Sequence, residues 1–269
     1  MKKGLVICGP DVAYGPLALL DGTFEEKARK AADLGYDGIE LMLRDPAGLN
    51  WAAVKATVDA AGLEVPQLVT GELFGTDGLC LITADDDLYH RAEDRLRSVI
   101  DLAAYMNAMV NIGRVRGRLE WLGKVDNARN VAVDRLHGVA AYAATKNVRI
   151  TLEPINRYET DFILSAADGM RLVHDLQQHN FGLMLDVFHM NIEDTSIEEG
   201  LRLAGDKLWH VHVADSQRHY PGSGHLNFDS IFATLRDMNY QGYVSAELFP
   251  LPDPDTAARK TIEFLDRYD

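Results

Sequence analysis

Four residues suited to binding a metal ion end four successive apolar runs in the second half of the chain. They are Glu153, Asp186, His212 and Glu247. Three carboxylates brought together repel one another unless a cation lies among them. Three carboxylates and one imidazole suit Mn²⁺, Mg²⁺ or Co²⁺ better than a structural zinc ion, which favours cysteine and histidine. The pattern therefore predicts a site for one divalent cation.

The elements that must position these residues alternate along the chain. Short apolar runs predict strands at 4–8, 38–43, 65–69, 109–112, 149–153, 182–186, 208–213 and 243–248. Helical patterns lie between them at 24–34, 51–61, 87–106, 127–145, 166–179, 196–204, 228–238 and 254–267. Eight strand–helix units without a dividing linker predict one domain over 1–269, a (β/α)₈ TIM barrel. The alternative is a doubly wound open sheet, which often has a glycine-rich first turn; CGPDVAYG contains no G-x-G-x-x-G.

In a barrel of this kind the active site lies at the carboxyl ends of the strands, where the four residues are found. Alternation along the strands directs Glu153, His212 and Glu247 into the barrel. His210 points the same way but lies one layer deeper, which predicts a hydrogen-bonded core histidine and not a ligand.

Two further residues follow the predicted ligands closely. His189 comes three residues after Asp186, and this spacing is compatible with a metal ligand, a hydrogen-bond donor behind a ligand, or a substrate contact. Arg218 lies on the loop directly after His212, and this position is compatible with a role at the site or with an ordinary surface charge.

The segment IGRVRGR places Arg114, Arg116 and Arg118 just after the fourth strand. One interpretation is a solvated basic loop paired with acids such as Glu120. The other is that at least one arginine binds an anionic group of the substrate, assisted by Arg44, because guanidinium groups match carboxylates in bidentate fashion. A carboxylate is favoured over a phosphate, since no glycine-rich phosphate turn follows strand 7 or 8.

Composition limits the partners. The 269 residues carry 27 Lys and Arg against 41 Asp and Glu, a net charge of −14, which disfavours nucleic acid and anionic membranes. No apolar segment approaches the roughly 20 residues of a membrane span, and the start resembles no signal peptide. Two cysteines are too few for a disulfide framework, and no CxxC motif indicates a metal site. A cytoplasmic protein is expected.

Several motifs together closely resemble the ketose 3-epimerases of the xylose-isomerase-like TIM barrels, such as the D-tagatose, D-psicose and L-ribulose 3-epimerases. They are EPINRYETDFI (153–163), LDVFHMNIED (185–194), HVHVADSQRHYPGSGHLNFDSI (210–231) and VSAELFPLP (244–252). Upstream, MLRDP (42–46), GELFGTDGLCLIT (71–83) and IGRVRGR (112–118) are most similar to the branch that includes 5-keto-L-gluconate epimerases.

The resemblance implies an isomerase that inverts C3 of a ketose through a metal-stabilised enediolate. The residues that match the family's metal ligands are Glu153, Asp186, His212 and Glu247, and Glu153 and Glu247 also match its two acid/base groups. The residues of that family that match Glu159, His189 and Arg218 contact the sugar. Manganese is the usual metal, cobalt or magnesium can replace it, and homodimers or homotetramers are common. Together with the arginines, the resemblance favours a ketouronate such as 5-keto-L-gluconate or D-tagaturonate.

The sequence leaves four alternatives open. A neutral ketohexose or ketopentose 3-epimerase would use the same residues on another sugar. An aldose–ketose or hydroxypyruvate-type isomerase would return the proton to the neighbouring carbon. An apurinic-site endonuclease shares the barrel but needs three zinc ions and histidines after strands 3 and 4, where this chain has VTGEL and NIGRV. A non-catalytic sugar-binding barrel would not need both acid/base glutamates.

Overall fold

The eight predicted strands are parallel, and hydrogen bonds between successive strands close them into a barrel. In the computed structural model, which describes residues 1–268, the strands are β1 (Lys2–Cys8), β2 (Gly38–Met42), β3 (Gln67–Val69), β4 (Met109–Ile112), β5 (Ile150–Leu152), β6 (Phe181–Asp186), β7 (Leu208–Val213) and β8 (Tyr243–Ala246). The barrel closes because β1 pairs with β8 as well as with β2. The TIM-barrel prediction is confirmed, and the doubly wound alternative is wrong.

Helices follow the strands and cover the outside of the barrel. They are α1 (Phe24–Leu34), α2 (Trp51–Ala61), α3 (Gly71–Gly75), α4 (Asp86–Met106), α5 (Ala128–Thr145), α6 (Ala166–Leu176), α7 (Val187–Glu193), α8 (Ile197–Ala204), α9 (Phe228–Asp237) and α10 (Pro254–Leu265). The eight predicted helices are present, and the short helices α3 and α7 are additional. Helix α6 ends before the predicted residue 179 because Gln177 adopts a left-handed conformation with φ 50°. No helix within 1–268 has the length and apolar character needed to cross a membrane.

The local sequence accounts for where the helices begin and end. At the start of α1, the Thr23 side chain accepts a hydrogen bond from the backbone of Glu26, whose side chain accepts one from Thr23 in return. The helix ends at Gly35, which takes the left-handed conformation that glycine tolerates best. Ala28 and Ala31 on its inner face are fully buried against the barrel.

Strand register fixes the layer in which the polar side chains meet. Asp186 on β6 pairs with His212 on β7, and His212 pairs with Ser245 on β8. Glu153 and Glu247 each follow the last residue of their strands, so β5 and β8 end slightly earlier than predicted. The four predicted ligands therefore reach the same rim of the barrel.

Candidate active site

The side chains of Glu153, Asp186, His212 and Glu247 converge at this rim. One potential ligand atom from each lies within 4.8 Å of those of the other three. All four residues are buried, with exposed fractions of 5%, 0%, 0% and 9% respectively. The strand ends thus bring together, in a largely buried position, the set that the sequence predicted.

The donor atoms of this set fit a divalent cation. Glu153 Oε1 and His212 Nδ1 are buried and have no hydrogen-bond partner within 1–268. Buried polar atoms without partners are rare in folded proteins and call for an explanation such as an ion or water. Asp186 uses Oδ1 to accept the backbone N–H of Phe188 at 2.9 Å, which leaves Oδ2 directed to the cluster. These observations favour a hard, oxygen-preferring cation bound here.

Burial and neighbouring charges together move the pKa values of the clustered carboxylates in different directions. Burial and the facing carboxylate of Glu247 raise the pKa of Glu153 well above its usual range. Burial also raises the pKa of Asp186 to about 6, although the charges of Arg218 and His212 oppose the rise. Burial opposes ionisation of Glu247 too, but the charges of His212 and Arg218 outweigh it and lower the pKa. Two carboxyl groups with pKa values pushed apart can serve as a proton donor and a proton acceptor.

Arg218 enters the cluster from the loop after β7. Its Nη2 lies 2.6 Å from Glu247 Oε2 and 3.5 Å from Asp186 Oδ2, and its Nη1 lies 3.6 Å from Glu159 Oε1. The guanidinium packs over the ring of Phe188 at 4.8 Å and is 6% exposed. The structure therefore brings Arg218 into the site, as the sequence predicted.

A constrained loop holds Arg218 in place. Its backbone has φ 60°, which is unusual for a residue with a side chain and occurs mostly where the surroundings enforce it. The carboxylate of Asp215 accepts the backbone N–H groups of Gly222 at 2.8 Å and Leu226 at 3.2 Å. A Cβ at Gly224 would lie 2.2 Å from Asp215 Oδ1, so this close approach requires glycine. Asp215 and Gly224 were missed in the sequence analysis.

His189 and Glu159 are joined by Asn156. The Asn156 Nδ2 donates to His189 Nδ1 at 2.8 Å and to Glu159 Oε1 at 3.0 Å. Burial and the charge of Arg218 lower the pKa of His189 well below its usual range, so the ring is neutral. Since Nδ1 accepts, the ring hydrogen is on Nε2, which faces Glu153 Oε1 at 3.5 Å. His189 is thereby oriented as a hydrogen-bond donor into the site.

A cavity of about 350 Å³ lies above the cluster. Residues predicted for the site that line it are Glu153, Glu247, Glu159, His189, Arg218 and Arg114. Its size is at the lower end of the range for small-molecule sites. Asp186 and His212 lie beneath its floor.

Of the three clustered arginines, Arg116 does not reach the cavity. It is fully buried, and its guanidinium donates to four backbone carbonyl groups: Glu153 at 2.6 Å, Phe162 at 3.0 Å, Ile163 at 3.1 Å and Gly113 at 3.3 Å. The predicted substrate contact is wrong for Arg116, because its guanidinium is fully buried and bound to these backbone carbonyl groups. Arg116 fixes the loops that carry Glu153.

Arg118 and Arg44 are also engaged elsewhere. Arg118 Nε lies 2.9 Å from Glu120 Oε1, which is the solvated pairing foreseen as the alternative. Arg44 binds Asp77 with Nε at 3.0 Å and Nη2 at 2.7 Å, and this bidentate pair leaves it unsuited to bind substrate. Neither Arg118 nor Arg44 is among the residues that line the cavity, so the structure does not bring these two arginines to the site.

Replacing Arg116 by methionine should destabilise the protein by about 3–5 kcal/mol, because buried carbonyl groups lose a charged donor. The matched change Arg118→Met in the same loop should cost less than about 1 kcal/mol, as is typical of solvent-facing ion pairs. Denaturant unfolding of both variants measures the two costs. Equal losses would contradict the structural role assigned to Arg116.

Arg114 remains at the cavity wall. Its guanidinium lies over the ring of Phe74 at 5.4 Å, and no carboxylate within 1–268 is at ion-pair distance from it. A Cβ built on Gly75 would lie 3.4 Å from Arg114 Nη2 and 3.6 Å from Glu72 Oε1, so both charges face this glycine. Glu72 lines the cavity as well and was missed in the sequence, although GELFG follows a strand end.

A buried polar network lies beneath the cluster. Glu40 on β2 is fully buried and accepts from His210 Nε2 at 2.7 Å, from His212 Nε2 at 3.0 Å and from Gln67 Nε2 at 2.7 Å. His210 is thus the hydrogen-bonded core histidine that the sequence predicted. Glu40 and Gln67 were missed. The signal for Glu40 was present, since a single carboxylate interrupts the apolar run GIELML.

A closed parallel barrel with buried carboxylates and histidines at the carboxyl ends of its strands is the architecture of TIM-barrel enzymes. Residues 28–268 match the family model described as "Xylose isomerase-like TIM barrel", and the chain belongs to that family.

Its relatives are sugar epimerases. The chain is 31% identical over 222 residues to an L-ribulose 3-epimerase of Methylomonas sp. (strain DH-1), covering 81% of this chain and 76% of that protein. It is 31% identical over 255 residues to a 3-dehydro-D-guloside 4-epimerase of Escherichia coli (strain K12), covering 89% and 93%. A crystal structure of a Methylomonas sp. D-allulose 3-epimerase in complex with D-allulose superposes with a TM-score of 0.81 at 25% identity, covering 100% and 97%. These relatives confirm that the chain is an isomerase of the carbohydrate-epimerase class.

Proposed function

We propose that this protein is a divalent-metal-dependent epimerase that inverts C3 of a ketose, with a ketouronate as the preferred substrate. The observation that carries the proposal is the meeting of Glu153 and Glu247 at one buried cluster from β5 and β8, which are separated by two other strands. Two carboxyl groups that approach from different sides of a barrel can address opposite faces of one substrate carbon.

Epimerisation beside a ketone needs a base on one face of the carbon and an acid on the other. One glutamate removes the C3 proton, its electron pair passes into the enediolate, and the other glutamate delivers a proton to the opposite face. The reverse reaction exchanges the two roles.

The residues that would hold the cation are Glu153, Asp186, His212 and Glu247. When bound, a divalent cation supplies positive charge that offsets the negative charge of the enediolate. Arg218 adds a fixed positive charge beside Glu247, which supports stabilisation of charge developing on the substrate oxygen. His189 donates from Nε2 and Glu159 accepts, so both are suited to hold sugar hydroxyl groups.

Support for a ketouronate now rests on Arg114. It is the member of the arginine cluster that faces the cavity, and it has no carboxylate partner within the described residues. A substrate carboxylate remote from the reacting carbons would supply that partner and position C3 over the cluster. The nearby carboxylate of Glu72 favours hydroxyl groups instead, so a neutral ketose is the alternative.

If Arg114 binds a carboxylate, Arg114→Ala should lower kcat/KM for a ketouronate by about 10- to 150-fold, the equivalent of the roughly 1.5–3 kcal/mol of a charged hydrogen bond. The same change should leave the neutral ketose of matching stereochemistry within about threefold. Arg118→Ala is the control and should affect neither substrate. A better rate with the neutral sugar in wild type, or equal losses on both substrates, would assign a neutral ketose.

A second candidate is epimerisation at C4 of a 3-keto sugar. It is favoured by the 3-dehydro-D-guloside 4-epimerase, whose match to this chain covers 93% of its length. The chemistry is the same, since the inverted carbon again lies beside a ketone. NMR identification of the inverted carbon, with both sugar types as substrates, separates the two. An aldose product would instead indicate an aldose–ketose isomerase.

A further inference from the structure

The carboxylate of Glu40 lies directly behind the candidate metal ligand His212. Glu40 is in the middle of β2, and His212 is on β7, across the interior of the barrel. Both side chains are fully buried. The contact therefore joins distant parts of the chain at a place that neither water nor substrate reaches.

The hydrogen-bond pattern determines which nitrogen of His212 carries a hydrogen. Thr151 Oγ1 donates to Gln67 Oε1 at 3.0 Å, so the Gln67 amide nitrogen is the atom that faces Glu40. An ionised carboxylate only accepts hydrogen bonds, and Glu40 receives three: from Gln67, from His210 Nε2 and from His212 Nε2. His212 Nε2 must then carry a hydrogen.

The other nitrogen of the ring points the opposite way. His212 Nδ1 is buried, has no hydrogen-bond partner within 1–268 and lies 3.8 Å from Glu247 Oε2. With one hydrogen held at Nε2, Nδ1 is the nitrogen that would present a lone pair to the cluster of Glu153, Asp186 and Glu247 once a cation takes the place of a second proton on the ring. A carboxylate behind a metal-binding histidine fixes the orientation of the ring and makes it a better ligand.

We propose that Glu40 is a positioning residue, which orients His212 so that Nδ1 binds the catalytic cation. This inference rests on the proposed metal site and adds a residue that the sequence analysis missed. Glu40 acts through His212 and does not line the substrate cavity.

A second group of potential metal ligands consists of Glu40, His210 and His212, whose ligand atoms lie within 4.8 Å of one another. Direct hydrogen bonds at 2.7 and 3.0 Å already occupy both carboxylate oxygens. A cation between them would have to displace these bonds. We therefore expect one bound ion per chain, not two.

The test is Mn²⁺ binding to metal-free protein, measured by calorimetric titration in wild type and in two variants. Glu40→Met removes both acceptor oxygens and should weaken binding about 10- to 100-fold. Glu40→Gln keeps one acceptor oxygen and should fall between wild type and Glu40→Met. Asp194→Asn removes another partly buried carboxylate, outside the barrel interior, and should leave the affinity within about twofold.

A second measurement does not depend on the variants folding. Nitrogen-15 NMR of the imidazole rings in Mg²⁺-loaded wild type should place a hydrogen on His212 Nε2 and none on Nδ1. A hydrogen-free Nε2 would overturn the proposal. So would unchanged Mn²⁺ affinity in both Glu40 variants, or two bound ions of which one is lost in Glu40→Met. If wild type binds no Mn²⁺, the metal assignment fails first and the role of Glu40 fails with it.

Discussion

Glu153→Gln and Glu247→Gln should each lower the epimerisation rate by about 10²–10⁴-fold, the usual contribution of a positioned acid or base. Glutamine keeps the shape of the side chain but can neither take up nor release the proton. Each variant should lose the overall reaction, because inversion requires both faces of the carbon. Rates with the preferred sugar, measured in both directions, test this expectation.

The loss must be separated from loss of the cation, since the same carboxylates are proposed ligands. Metal content is therefore measured on each variant, and activity is compared at saturating Mn²⁺. Glu64→Gln is the matched control, because Glu64 pairs with Lys2 and Tyr243 at the opposite end of the barrel, and it should retain the wild-type rate. Metal-loaded Glu153→Gln or Glu247→Gln with more than a tenth of the wild-type activity would remove that residue from the mechanism.

Asp186→Ala should abolish both Mn²⁺ binding and activity. Asp186 is fully buried at the end of β6 and contributes an oxygen without being one of the two proposed acid/base groups. Treatment of wild type with a chelator should have the same effect, and added Mn²⁺ should restore wild type but not the variant. Metal analysis after dialysis, together with the rate, gives both readouts.

The two barrel histidines provide an internal comparison for the metal assignment. His212→Ala removes a proposed ligand, whereas His210→Ala removes only a partner of Glu40 in the layer below. The loss of Mn²⁺ affinity should therefore be much larger for His212→Ala. Full metal occupancy in Asp186→Ala, or equal losses in the two histidine variants, would show that the cation is held elsewhere.

The sequence predicts the barrel and the main cluster well, because both depend on local patterns. Apolar runs alternate with helical patterns, and a polar residue that ends a parallel strand must lie at the common rim. Glu153, Asp186, His212 and Glu247 are therefore brought together by strand order alone. Their convergence within 4.8 Å follows from the register between β5, β6, β7 and β8.

What the sequence could not predict depends on contacts between distant segments. Glu40 reads as an isolated charge in an apolar run, because His210 and His212 are 170 and 172 residues away. Arg114 and Arg116 look equivalent in IGRVRGR. The short 3₁₀ turn at Arg114–Arg116 leaves Arg114 at the cavity and buries Arg116 among backbone carbonyl groups.

The most direct test of the central claim is solvent exchange at the inverted carbon. Metal-loaded wild type is incubated with a ketouronate, a neutral ketose or a 3-keto sugar in deuterated water, with and without chelator, and the products are examined by NMR. The account predicts the C3 epimer of the ketose substrate, with deuterium at C3 and no exchange when the metal is removed. An epimer that retains its original hydrogen, exchange that continues without metal, or deuterium at C1 in an aldose product would contradict it.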